Sequence, residues 1–154
     1  NRRRFVLAGL ALVSVPVLAH HGWSSFDQDK PLYLSGTVKS VRWQNPHAEV
    51  VLTVASGLLL PADLGKRTAP AQSQKIDGTA LLARATVPAN AAGEWEIEFA
   101  PMSRMEAWGL KEPLKVGDRI ELLGYALADA NRKVLRVEYL FVDGKSYGLR
   151  SNPA

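Results

Sequence analysis

Residues 94–109 read EWEIEFAPMSRMEAWG, and the change of period inside this stretch decides the fold. Trp95, Ile97 and Phe99 alternate with Glu94, Glu96 and Glu98, which is the pattern of a strand with one apolar face, and the glutamate row reads as ordinary solvated surface. Past Pro101 the spacing becomes helical. Met102, Met105 and Trp108 fall near one side, Pro101 suits a helix start and Gly109 its end. Barely two helical turns directly after a strand are the middle of a small barrel if strands flank them on both sides.

Upstream, one long strand is expected over 32–43, with Leu32, Leu34 and Val38 on one face, Tyr33, Ser35, Thr37 and Lys39 on the other, and Val41 and Trp43 out of phase. A strand that changes phase and contains Gly36 implies a bulge or sharp coil. After an Asn45-Pro46 turn, residues 48–55 alternate Ala48, Val50, Leu52 and Val54 inward with Glu49, Val51 and Thr53 outward, and His47 extends the outward, solvent-facing set. Residues 56–92 exceed a hairpin connection and are expected to be an inserted loop, with local structure around 79–87. Downstream, turns at Lys115-Val116-Gly117-Asp118 and Ala130-Asn131-Arg132-Lys133 lead into strands 119–127 and 134–142, the latter with Leu135, Val137, Tyr139 and Phe141 as its apolar face. Asp143-Gly144 then turns into a short segment at 146–149. The order predicts an all-β fold, a small five-stranded OB-fold-like barrel with one short helix between strands three and four. An antiparallel sandwich is the alternative.

Outward from this domain, the first residues read as an export signal. Arg2, Arg3 and Arg4 precede an apolar run from Phe5 to Leu18, and Val17-Leu18-Ala19 supplies small-residue cleavage chemistry. The run is 14 residues long, short for a bilayer span, and Pro16 weakens it as a helix. Cleavage after Ala19 leaves a single domain, 20–154, that is periplasmic or secreted and has no stable membrane anchor. The order Arg2-Arg3-Arg4-Phe5-Val6 also resembles a twin-arginine signal, so both the general secretory and the twin-arginine route are open. Of the formal charge of +4, those three arginines contribute three, leaving +1 on the processed chain. So balanced a surface argues against nucleic acid as a partner. Cysteine is absent, so disulfides and thiolate metal sites are excluded.

The chain has three histidines, His20, His21 and His47. If His20 becomes residue one, its α-amino nitrogen and ring Nδ1 can chelate one metal ion, and the ring of His47 would complete a three-nitrogen set of the histidine-brace type. His21 is a third candidate: it can replace His47, or bind through its ring together with the amine and the intervening amide nitrogen. Nitrogen donors in tetragonal array suit Cu(II). Asp27 and Glu49 are candidate oxygen donors, although exposed carboxylates are usually just solvated. Met102 and Met105 are expected to pack in the core. No phosphate-binding glycine loop or cysteine nucleophile is present, Ser24 and Ser25 lack a partner base at a diagnostic spacing, and an enzymatic role is disfavoured.

At His20-His21-Gly22-Trp23-Ser24-Ser25-Phe26-Asp27, Leu34-Ser35-Gly36-Thr37-Val38, Trp43-Gln44-Asn45-Pro46-His47 and Lys115-Val116-Gly117-Asp118, the sequence resembles a family of small exported bacterial proteins classed only as a domain of unknown function. The resemblance supplies no activity, but it implies that the three histidines belong to one pattern. Copper carriage or buffering at an amino-terminal histidine site is the leading functional expectation. A metal-free OB-fold adaptor, which binds a peptide, glycan or protein partner through Trp23, Tyr33, Trp43 and the 56–92 segment, is the alternative. Amino-terminal sequencing of the exported protein is expected to begin at His20; a start upstream of it would remove the amine from the site.

Overall fold

The computed structural model describes residues 21–129 and 131–154. Residues 1–19, which the sequence reading assigns to an export signal, and His20 lie outside the described residues. Six strands follow in the order β1 (Leu32–Arg42), β2 (Glu49–Val54), β3 (Gly93–Glu98), β4 (Arg119–Ala126), β5 (Val134–Val142) and β6 (Lys145–Gly148), with α1 (Gly78–Arg84) before β3 and α2 (Met102–Ala107) between β3 and β4. The first five close into a barrel, because β3 pairs with β2 on one edge and, in parallel, with β5 on the other. The expected all-β barrel with a short helix after its third strand is therefore present. Among the described residues no helix is long and apolar enough to cross a membrane.

Strand β1 has to serve two neighbours. Its first half pairs with β4 and its second half with β2, and Gly36 lies where it passes from one to the other. A Cβ at Gly36 would fall 2.3 Å from the carbonyl oxygen of Thr53, so only glycine admits this approach. The phase change read from the sequence comes three residues later. Register shifts between Val38 and Ser40, leaving Lys39 as the extra residue and returning Val41 to the core side opposite Val50.

The barrel interior holds Leu34, Leu52, Ile97, Phe99, Ile120, Leu122 and Leu140, all essentially without exposure. Each such side chain contributes about 1.5–3 kcal/mol by leaving water. Met105 of α2 plugs one end, and Asn45 Oδ1 accepts a hydrogen bond from the Met102 N–H at the start of that helix, 3.2 Å away.

The sequence reading of β5 needs one correction. Leu135 and Val137 enter the barrel, but Tyr139 and Phe141 do not share their face. Register slips opposite Leu123–Gly124, where Gly124 pairs with Val137 and Leu123 with Tyr139, so Glu138 is bulged out and every later side chain changes side. Leu140 and Val142 then point inward. Tyr139 and Phe141 pack outside, against Leu81 and Leu82 of α1, Leu64 and Tyr33. Residues 56–92 thus build a second apolar layer on the outer wall, and all nine residues of β5 are buried. Gly36→Ala is expected to lose about 2 kcal/mol or more, lowering the melting temperature by roughly 5 °C, because backbone must move. Val116→Ala, at a side chain 69% exposed, should stay within about 0.5 kcal/mol of the parent by the same thermal melt. Equal melting temperatures for both variants would contradict the close approach.

Candidate functional site

The site begins with the bulge in β5. Glu138 is fully buried, and its carboxylate accepts from Arg150 Nε and Nη2 (2.8 and 2.7 Å) and from Gln72 Nε2 (3.0 Å). Held in this way, Arg150 lies 3.8 Å from the ring centroid of Trp23, and its Nη1 donates to Gln28 Oε1 at 2.7 Å. Arg136 approaches the same indole at 5.1 Å, and Tyr125 meets it edge-on at 6.3 Å. Two guanidinium–indole contacts of this kind are worth about 0.5–2 kcal/mol each. Trp23 starts a short 3-10 turn (Trp23–Ser25), and the chain after it is pinned: Phe26 is buried beside Tyr125, Leu127 and Val134, and Asp27 N donates to Ala126 O at 3.0 Å. The amino-terminal segment is thereby stapled to the outer wall of β4 and β5, and His21 is brought against β3.

What His21 meets is a lateral row of charge. Arg42 of β1, Glu49 of β2, Glu98 of β3 and Arg136 of β5 are consecutive cross-strand partners. Two carboxylates directly opposite one another repel. The row answers this with an arginine outside each: Arg42 Nε donates to Glu49 Oε2 (3.1 Å), with Nη2 on Oε1, and Arg136 Nη1 donates to Glu98 Oε2 (3.2 Å). A histidine then faces each carboxylate. His21 Nδ1 lies 2.8 Å from Glu98 Oε1, and His47 Nδ1 lies 3.5 Å from Glu49 Oε1. The result is two Arg–Glu–His groupings side by side on neighbouring strands.

Burial lowers the pKa of His47 from the ordinary imidazole value, with Arg136 acting the same way and Glu98 and Glu49 opposing. The ring is therefore neutral at neutral pH and keeps a lone pair. Burial also lowers Arg136, against the pull of Glu98, but a guanidinium stays charged in proteins, so Arg136 remains the counter-charge.

Two expectations change here. His47 is off the apolar core, as its parity requires, yet it is only 5% exposed and not on a solvent face. Alternation separates the two sides of a strand, but the outer side at this end of the barrel is covered. The glutamate row of β3 is likewise not uniform. Glu94 and Glu96 are exposed and pair with Lys39 and Arg132, whereas Glu98 is buried between His21 and Arg136. The sequence reading takes Glu98 as solvated surface and gives Arg136 and Arg42 no role, because only strand register aligns the three. Asp27 pairs with Lys30 at 3.1 Å, away from the row. Of the aromatic residues considered for partner binding, Tyr33 is buried and donates to Glu121 Oε2 at 2.8 Å, Trp43 packs on Phe99, and Trp23 is held by the arginines. Among the described residues no three His, Asp or Glu side chains are grouped so as to hold a metal ion by themselves.

The segments that deliver both histidines to this row also carry the recognisable part of the sequence. Residues 8–58 match the model of a family of unknown function, DUF6152. The match bears out the resemblance carried by His20-His21 and Asn45-Pro46-His47, and it spans Trp23, Arg42 and Glu49 while stopping short of Glu98 and Arg136. No curated protein and no solved structure matches the chain.

Removing Glu98 would leave Arg136 buried without its counter-charge. Glu98→Ala is expected to cost about 3 kcal/mol in denaturant unfolding, against less than about 0.5 kcal/mol for Glu94→Ala two residues away. Equal costs would mean that the row is only surface.

Proposed function

We propose that this is an exported, periplasmic copper-binding protein that carries or buffers the ion at an amino-terminal histidine site, with His20 and His47 as ligands and His21 beside them. One observation carries the reading: the two described histidines meet the same charged row, His21 at Glu98 and His47 at Glu49, although 26 positions separate them. His20 is covalently joined to His21, and successive Cα atoms are about 3.8 Å apart. Processing after Ala19 would leave a free amine one residue ahead of His21.

The chemistry is consistent with such a role. A neutral imidazole at His47 offers a lone pair, and an amine with a reference pKa of about 7.7–8.0 loses its proton readily to a metal near neutral pH. A nitrogen set without thiolate suits Cu(II), which stands at the top of the divalent affinity series. Release of the amine only on cleavage means that the metal would load after export.

Protein beginning at His20 is expected to bind Cu(II) with micromolar or tighter affinity in a calorimetric titration, more weakly as the pH falls and protons compete for the amine. One extra residue ahead of His20 should weaken binding by more than the roughly 10–100-fold that loss of an outer-shell partner costs. Unchanged binding by His47→Ala would remove that residue from the proposal. Capture of a protein, peptide or glycan partner that survives replacement of all three histidines by alanine would favour the adaptor instead.

A further inference from the structure

The sequence leaves two ways for His21 to take part. As the second residue of a processed chain it can close a chelate through the free amine, the intervening amide nitrogen and its own Nδ1. Alternatively it can remain outside that chelate and offer only Nε2. These modes use opposite sides of the imidazole ring.

In the structure Nδ1 is already engaged. It lies 2.8 Å from Glu98 Oε1, and that carboxylate is itself fixed by Arg136 on its other oxygen. Glu98 is 6% exposed and cannot readily turn away to water. The ring of His21 is further held edge-on to Phe26, with centroids 5.9 Å apart, and Phe26 is part of the staple that fixes the amino-terminal segment. A histidine that donates Nδ1–H to a carboxylate carries its lone pair on Nε2, the arrangement by which outer carboxylates orient metal-binding imidazoles. Swinging Nδ1 onto a metal would break that bond and leave a buried carboxylate short of a donor.

We infer that Glu98 is a positioning residue: by holding His21 through Nδ1 it excludes the amine–amide–Nδ1 chelate and leaves Nε2 as the only nitrogen of that ring open to a metal. The inference rests on the copper reading above. It carries a definite proton balance. Closing the excluded chelate requires the His21 ring proton to move from Nδ1 to Nε2, with no net release, and the amide N–H between residues 20 and 21 to lose its proton to solvent as the copper–nitrogen bond forms, in addition to the proton displaced from the amine. Without that chelate, the amide keeps its proton.

The test is Cu(II) titration of protein beginning at His20, at a pH below the amine pKa, with released protons counted by pH-stat and the d–d absorption band recorded. Wild type is expected to release no amide proton and to show a band at the longer wavelength of a site without amide coordination. Glu98→Ala should release one additional proton per copper and move the band to shorter wavelength, because the freed Nδ1 can close the chelate. Glu98→Gln, whose amide oxygen still accepts from Nδ1, should retain the wild-type signature. Wild-type protein that binds copper with loss of the amide proton would overturn the inference and leave the copper reading intact, and this result does not depend on any variant folding. Wild-type protein that binds no copper would overturn the copper reading itself.

Discussion

The parallel pairing of β3 with β5 is the constraint from which the rest of the site follows. It closes the barrel, and it sets Glu98 opposite Arg136 in the same register that sets Ile97 opposite Leu135 in the core. One row of pairing therefore serves two purposes: its inward side chains seal the interior, and its outward neighbours carry charge across from β1 to β5. A slip of one residue in this register would bury the charges and expose the apolar set. Tight packing of the interior thus fixes the placement of the polar row outside it.

The second requirement is that the amino-terminal segment lie against this row and not trail into solvent. A bulge in β5 meets it by placing Glu138 beneath Arg150, so that Arg150 and Arg136 both reach Trp23. Three distant parts of the chain, at Gln72, Glu138 and Arg150, converge on one buried polar network, whose members are all hydrogen-bonded. Removing any one of them would strand another in a low-dielectric setting. The placement of the segment around His21 therefore depends on contacts from across the domain.

Much of this was legible in the sequence. Period two in 94–99 and 48–55, the switch to helical spacing at Pro101, and the phase change in the first strand led directly to the barrel, because each depends on local alternation. The reading failed where parity alone was insufficient. Tyr139 and Phe141 were grouped with Leu135 because a bulge at Glu138 leaves no mark in an alternating run. Parity separates His47 from the core but makes it read as solvent-facing, since alternation does not say what covers an outer wall. Glu98 was grouped with Glu94 and Glu96 for the same reason; what distinguishes it is a neighbour 38 positions away on β5 and a histidine 77 positions away.

The central proposal is that a single copper position lies beside the row that His21 and His47 both meet. The most direct test is anomalous diffraction at the copper edge from crystals of protein beginning at His20, grown with one equivalent of Cu(II). The account predicts one copper peak at the Glu49–Glu98 end of the barrel, ligated by a ring nitrogen of His47 and by the terminal amine, with His21 Nδ1 still on Glu98. Copper bound elsewhere, or at the amine with His47 turned away from it, would contradict the account.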